Sequence, residues 1–164
     1  MKVLVVYDSL FGNTEIIAKK IAEGFADQQV RLMSVKEFTL TDLESTDLLV
    51  AGSPTHAGRP SQGMKDFFNS LPATSLQNIN AAAFDTGIPR AGQKTFLSLA
   101  ILFLGYASKH IAKALEKKAA TILAAETFFV LDKEGPLKEG EAERAKQWAM
   151  QLLKAGAFAT VSQP

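Results

Sequence analysis

YDSLFGNTE, at positions 7–15, separates two segments with different hydrophobic periodicity. Before it, KVLVVY at 2–7 is a short apolar run rich in β-branched residues, which is typical of a strand buried on both faces of a sheet. After it, residues 13–27 place Ile16, Ile17, Ile21 and Phe25 along one stripe, which predicts an amphipathic helix. The segment is therefore predicted to be the loop of a strand–loop–helix unit.

The alternation of strand and helix patterns continues along the chain. Further strands are predicted at 30–35, 47–52, 79–84 and 121–130, and further helices at 61–70, about 95–118 and 139–155. This order favours parallel βαβ units, whose right-handed crossovers place helices on both faces of one five-stranded sheet. Ligands of such α/β sheets bind beyond the carboxyl ends of the strands, so we expect the loops after the first, third and fourth strands to form the site.

Composition limits the classes of function. With 164 residues, 47% of them apolar, we expect one domain spanning 1–164. The absence of cysteine excludes a disulfide framework, a thiolate nucleophile, an iron–sulfur cluster and the usual zinc sites, so redox chemistry requires an organic cofactor. The net charge is +1 and the cations are scattered, which argues against a nucleic-acid partner. Without a basic leader or a long apolar run, we expect a cytoplasmic protein with no membrane span.

The loop at 9–14 has the composition of a phosphate-binding helix start. Unpaired backbone amides and the positive end of the helix dipole favour an anion there, and Gly12 lets the backbone approach closely. Ser9, Asn13 and Thr14 add neutral side-chain donors. The loop lacks both the GxxxxGK[ST] lysine and the GxGxxG spacing, so a monophosphate fits better than a triphosphate or a dinucleotide. The alternative is that Ser9 or Asn13 only caps the helix and Gly12 only turns the chain.

YDSLFGNTEIIA, at 7–18, resembles the phosphate-binding loop of the flavodoxin family, in which a hydroxyl-rich loop ending in G-x-T opens the first helix. Phe11 stands where flavodoxins usually carry Thr or Ser, and an aromatic residue there resembles the flavodoxin-like quinone reductases. The resemblance implies an α/β fold, a flavodoxin-like three-layer α/β/α sandwich with a five-stranded parallel sheet in the order 2-1-3-4-5. It also implies flavin mononucleotide (FMN) as cofactor, with contacts in this loop from Ser9, Leu10, Phe11, Gly12, Asn13 and Thr14.

Two later loops resemble the isoalloxazine loops of the same family. In GSPTHAGRP, at 52–60, the resemblance implies a backbone turn against flavin N5, and Gly58 with its neighbour Ala57 is best able to form it. FDTGIPRAG, at 84–92, is implied to read the pyrimidine edge of the flavin, although Asp85 is also a common turn former. The implied cofactor contacts in the two loops are Pro54, Thr55, His56, Ala57, Gly58, Asp85, Thr86 and Gly87.

The histidines do not indicate a metal site. As a histidine, His56 is a candidate proton donor, but we favour packing beside the ring or a hydrogen bond within the loop. His110 lies in a predicted helix, and no carboxylate pair is spaced to complete a metal site with either histidine. We therefore predict neither a metal nor a catalytic side chain.

Other features depart from the usual flavodoxin pattern. Neither flavin loop contains Trp or Tyr, because Trp148 and Tyr106 are predicted in helices and Tyr7 in a strand. One ring face is then open to a quinone or a nicotinamide. The cations Arg59, Arg90 and Lys94 either stabilise reduced flavin, attract an acidic partner or are ordinary solvated charges.

Two functions follow from the resemblance. The favoured one is an FMN electron carrier that docks redox partner proteins, and the alternative is an FMN-dependent NAD(P)H:quinone-type oxidoreductase in which His56 and Arg59 orient the substrate. The apolar segment at 96–107 is more hydrophobic than a one-sided helix requires, which indicates a homodimer contact, a lid over the ring or deep packing.

Overall fold

The computed structural model describes residues 1–89 and 105–161, with side chains as far as 155. Strands and helices alternate through these residues. The strands are β1 (Lys2–Tyr7), β2 (Gln29–Ser34), β3 (Leu48–Pro54), β4 (Asn80–Gly87) and β5 (Thr121–Phe129). The α-helices are α1 (Asn13–Gly24), α2 (Gln62–Ser70), α3 (Ala107–Glu116) and α4 (Glu141–Val161), and a short 3-10 helix covers Leu40–Leu43.

The five strands form one parallel sheet in the order β2-β1-β3-β4-β5. The α/β fold class and the strand order expected from the sequence are thereby confirmed. Because β2 lies on one side of β1 and β3 on the other, the chain winds in opposite directions across the sheet on leaving β1 and β2, and the winding reverses at the end of β1. That reversal places the loop between β1 and α1 where a ligand is expected.

Each face of the sheet carries its own core layer. Successive residues of β1 alternate between the layers: Val3 and Val5 pack with α1 and α4, whereas Leu4 and Val6 pack with α2 and α3. This division explains why the central strands are apolar without interruption, since both of their faces are covered by helices. On one side the helices contribute Ile17, Ile21, Trp148, Ala149 and Leu152, and on the other Met64, Phe67, Phe68, Ile111 and Leu115.

The first helix is shorter than its hydrophobic pattern predicts. It ends at Gly24 rather than near residue 27, because the amide of Phe25 turns back to the carbonyl of Ala22 and closes the last turn. Ile17, Ile21 and Phe25 are buried as predicted, but Ile16 is 44% exposed. Ile16 stands about 100° around the helix from Ile17, which carries it off the buried stripe.

The continuous helix predicted over 95–118 is wrong at its centre. Gly105 has φ +71° and Tyr106 is extended at φ −117°, ψ 155°, so the helix α3 begins only at Ala107. Tyr106 therefore precedes a helix rather than lying in one. Residues 90–104 lie outside the described part of the chain, and with them Arg90, Lys94 and most of the apolar segment at 96–107. Of the helices that are described, none is long and apolar enough to cross a membrane.

Candidate functional site

A cleft lies at the carboxyl edge of the sheet, where the loops after β1, β3 and β4 meet. A fourth loop, after β5, closes one side. Of the residues predicted to contact a cofactor, Ser9, Gly12, Ala57, Gly58 and Asp85 do not line this cleft. The lining consists of Leu10, Phe11, Asn13, Thr14, Pro54, Thr55, His56, Thr86, Gly87, Ile88, Val130 and Lys133.

The first loop forms a tight entry into α1. Gly12 is the N-cap residue and has φ +85°, a left-handed conformation that glycine adopts without a steric penalty. Its amide donates to Ser9 Oγ at 3.1 Å, and no side chain caps the helix. Within the described residues, the amides of Asn13, Thr14 and Glu15 donate to no protein acceptor. These amides give the helix start its capacity to bind an anion.

The Asp8 carboxylate holds the first loop in place through hydrogen bonds. Its carboxylate accepts a hydrogen bond of 2.6 Å from Ser61 Oγ and one of 3.1 Å from the Ser9 amide. Ser61 is the N-cap residue of α2, and its Oγ also accepts from the Met64 amide at 3.3 Å. A Cβ on Gly63 would lie 2.6 Å from the Asp8 carboxylate, so only glycine allows this approach. Asp8 was not identified by sequence reasoning.

The second loop contains the turn predicted at Ala57 and Gly58. His56 and Arg59 exchange two backbone hydrogen bonds of 2.9 Å, which closes a two-residue hairpin. Ala57 has φ +46° and Gly58 has φ +76°, and positive φ at both central residues defines a type I′ turn. The hairpin projects His56 and Arg59 towards solvent, and the Thr55 amide ties its base to the carbonyl of Thr86 at 2.8 Å.

Asp85 joins the loops underneath the cleft. The side chain is fully buried, and its carboxylate accepts hydrogen bonds from Thr55 Oγ1, from Thr127 Oγ1 at 2.7 Å and from the Ala107 amide at 3.3 Å. Burial raises the pKa of the Asp85 carboxyl above its ordinary value, while hydrogen bonds from Thr55, Thr127 and Ser108 act in the opposite direction. The residue links the ends of β3, β4 and β5 to the start of α3.

An aromatic side chain supports the third loop from outside the two flavin loops. The Tyr106 hydroxyl donates to the carbonyl of Ile88 at 3.1 Å, and its ring stands 6.0 Å from that of Phe129. A Cβ on Gly87 would lie 3.0 Å from the Tyr106 ring, so the absence of a side chain at Gly87 permits this close packing. Tyr106 was predicted to lie within a helix, and its position before α3 gives it this different role.

Comparison with known proteins decides the family. The chain matches the family model described as Flavodoxin over residues 5–148. The chain belongs to the flavodoxin family. It is 44% identical over 73 residues to a flavodoxin of Aquifex aeolicus, and 28% identical over 123 residues to an NAD(P)H dehydrogenase (quinone) of Gluconacetobacter diazotrophicus. These matches cover 43% and 58% of the chain, and 40% and 62% of those relatives, so each spans less than two thirds of the relative.

Solved structures agree with the family in fold. The structure of a flavodoxin from the domain Archaea superposes with a TM-score of 0.75 and 20% sequence identity. The superposition covers 96% of this chain and 99% of that one. The flavodoxin-like architecture therefore extends over nearly the whole chain.

Membership of the flavodoxin family implies a flavin, and the cleft has groups suited to one. The unpartnered amides of α1 match a phosphate, and around Gly12 no atom lies within 4 Å of an ideal Cβ, which leaves space beside the loop. Pro54, Ile88 and Val130 supply apolar contacts, and Thr55 and Thr86 supply hydroxyls. Such a mixture of apolar walls and a few polar groups is typical of cofactor sites.

The fourth loop was missed by sequence reasoning as part of this flavodoxin-family site. This loop, after β5, is not among the three predicted to form the site, yet its exposed Lys133 and the preceding Val130 line the cleft. The sequence did contain a signal for this loop. It follows a parallel strand and so starts at the same carboxyl edge of the sheet as the other three loops.

Proposed function

We propose that this chain binds FMN non-covalently and carries electrons between redox partner proteins. The observation that carries the proposal is the first loop, where the left-handed Gly12 and the free amides of α1 form an anion site opening on the cleft. FMN, when bound, supplies reversible electron transfer without a catalytic side chain. The flavodoxin family supports this choice of cofactor and reaction.

In this proposal, each loop contacts a different part of the cofactor. The amides of Asn13, Thr14 and Glu15 hold the phosphate, assisted by the Ser9 hydroxyl. From the second loop, Pro54, Thr55 and His56 line the cleft and would contact the flavin ring, and the type I′ turn at Ala57 and Gly58 holds this loop in its shape. Thr86, Gly87 and Ile88 form the opposite wall, where backbone groups and a hydroxyl can orient the pyrimidine edge.

A second function, NAD(P)H:quinone oxidoreduction by the FMN-loaded protein, is supported by two observations. The relative from Gluconacetobacter diazotrophicus is named as such an enzyme. In addition, the second loop carries no Trp or Tyr, and its tip exposes His56 and Arg59, which are suited to orient a nicotinamide or a quinone. In this case the same cleft admits a small molecule instead of facing a protein partner.

Anaerobic reduction separates the two functions. The protein is reconstituted with FMN, and the flavin absorbance is followed after NADH or NADPH is added, with free FMN at the same concentration as the control. A carrier should bleach no faster than free FMN with the nicotinamides but fully with dithionite. Rapid bleaching that a quinone reverses would establish the reductase instead. Failure of the apoprotein to bind FMN would reject both functions.

A further inference from the structure

The loop after β5 is pinned to the start of α1. The Asn13 side-chain amide donates to the carbonyl of Glu134 at 3.0 Å, across 121 positions of sequence. Gly135 lies directly against it, since a Cβ on that residue would stand 2.6 Å from Asn13 Oδ1. The loop is also closed on itself, because the Gly135 amide donates to Asp132 and the Leu131 amide to Pro136, both at 2.9 Å. Lys133 is therefore presented at a defined place beside the first loop.

The neutral side chains of the first loop already have protein partners. Ser9 Oγ accepts from the Gly12 amide, and the Asn13 amide group is engaged with Glu134. The Thr14 hydroxyl shares a buried hydrogen bond of 2.8 Å with the Thr86 hydroxyl. An anion at this helix start thus meets backbone amides and the Ser9 O–H, which still has its proton to donate, but no cationic side chain, because residues 8–15 contain neither Lys nor Arg.

The Lys133 ammonium, unlike these neutral groups, lies over an aromatic ring at the cleft. It lies 5.9 Å from the centroid of the Phe11 ring, within cation–π range, and it lines the same cleft as the first loop. None of the ion pairs formed by the described residues includes Lys133, although Asp132 and Glu134 flank it in sequence. Phe11 holds the ammonium at the mouth of the anion site without neutralising it, as a carboxylate would.

We propose that Lys133 supplies a positive charge to the phosphate of the cofactor and makes the site selective for the phosphorylated flavin over riboflavin. This inference rests on the proposed FMN function and deepens it. A lysine suits this role because its ammonium is a mobile point charge that reaches a dianion without a fixed geometry. Because Lys133 is exposed, its contribution is partly screened by solvent and should weaken with salt.

The test compares two ligands and a matched control lysine. Dissociation constants for FMN and riboflavin are measured by quenching of flavin fluorescence for the wild type, Lys133→Met, Lys133→Arg and Lys138→Met. Lys138 is exposed in the same loop, but it does not line the cleft. Lys133→Met should raise the dissociation constant of FMN about fivefold and leave that of riboflavin nearly unchanged. Lys133→Arg and Lys138→Met should keep the wild-type ratio of the two constants.

Salt provides a second readout. The fivefold effect should shrink when the ionic strength is raised from about 0.1 M to about 1 M, because the Debye length falls severalfold. Equal weakening of FMN and riboflavin by Lys133→Met would mean that the side chain acts by shape, and it would overturn the proposal. Unchanged constants for both ligands would also overturn it, while leaving FMN binding intact. A wild-type protein that binds no FMN would instead reject the proposed function itself.

Discussion

At the scale of single residues, Asp85 couples the loop after β3 to β5 and the start of α3 through a buried carboxyl group. Its hydrogen-bond donors are hydroxyls and backbone amides, all neutral, so only dipoles compensate for the lost hydration. Burial therefore raises its pKa in the folded protein above the unfolded value of 3.8. A raised pKa means that the folded state holds the proton more tightly than the unfolded state does. The stabilisation from Asp85 is then complete below the unfolded pKa and is lost as pH rises through the folded pKa.

The variant Asp85→Asn tests this sign. Urea unfolding should give a larger free energy of unfolding for the wild type than for Asp85→Asn. This difference should be largest near pH 4 and should decline as pH rises to about 7. The matched comparison is Asp66→Asn, which removes a carboxylate from the exposed face of α2. A wild-type advantage that grew with pH would show that hydrogen bonding to the carboxylate outweighs its burial.

Ala57 occupies the hairpin with an unfavourable backbone conformation. A left-handed φ of +46° is costly for alanine, by roughly 1 kcal/mol, whereas asparagine tolerates it and Asn-Gly is the preferred type I′ pair. Ala57→Asn should therefore raise the free energy of unfolding by about 0.5 kcal/mol, measured by chemical denaturation. Ala119, with φ +70° far along the chain after α3, offers the control. Ala119→Asn should stabilise similarly and leave flavin binding unchanged, and a loss of stability in Ala57→Asn would contradict the turn assignment.

At the scale of elements, the contact between α1 and α4 depends on Gly24. In an exposed helix, replacing glycine by alanine stabilises by about 0.5–1 kcal/mol. Here the new Cβ would stand 2.7 Å from the Ala149 Cβ and closer still to the backbone carbonyl of Lys146, which cannot move without shifting α4. The steric clash with α4 should outweigh the gain from replacing glycine in a helix, so Gly24→Ala is expected to lower the free energy of unfolding by about 1–3 kcal/mol.

A double variant shows how much of the clash comes from the Ala149 Cβ and how much from the Lys146 carbonyl. Ala149→Gly removes one of the two clashing groups but not the Lys146 carbonyl, so Gly24→Ala with Ala149→Gly should recover only part of the loss. Denaturant unfolding of the two single variants and the double variant completes the cycle. Stabilisation by Gly24→Ala alone would show that α1 and α4 lie farther apart than the structure indicates.

Elements with a strong local pattern were predictable. The uninterrupted apolar run of β1 gave its bounds without error, and the hydroxyl of Ser61 marked the start of α2. The break at Gly105 and Tyr106 had no comparable signal, because the surrounding residues are apolar and contain no proline. A periodic pattern shows where a helix can form, but tertiary contacts such as that of Tyr106 with Ile88 decide where it begins.

The sequence predicted which three loops meet at the site, but not the hydrogen bonds that join these loops to one another. The three loops followed from the rule that ligands bind at the carboxyl ends of parallel strands. By contrast, the pairs Asp8–Ser61, Thr14–Thr86 and Asn13–Glu134 join residues 53, 72 and 121 positions apart. Periodicity is judged in windows of about 11–18 residues, so it contains no information on such pairs. The fourth wall of the cleft, with Lys133, was missed for a different reason, because the carboxyl-end rule was applied only to the loops after the first, third and fourth strands.

At the scale of the whole molecule, the cleft and the cores are separate. Both core layers are completed by helices packed on the faces of the sheet, whereas the cleft lies along one edge and is bounded by loops. The fold therefore does not need the ligand to bury its core residues, although Leu10 and Phe11 are exposed in the cleft. Ligand binding should then stabilise the folded state by mass action, without changing how much surface unfolding exposes.

This separation gives a quantitative expectation for the proposed cofactor. At a free FMN concentration about 100 times its dissociation constant, the free energy of unfolding should rise by about 2.7 kcal/mol. The denaturant slope should stay constant, because the core that unfolds is the same with and without ligand. Urea titrations at several FMN concentrations check both quantities, with Lys133→Met as a control that needs proportionally more FMN for the same shift. A slope that increases with FMN would mean that the loops fold only around the ligand, because the ligand-free protein would then have less structure to lose.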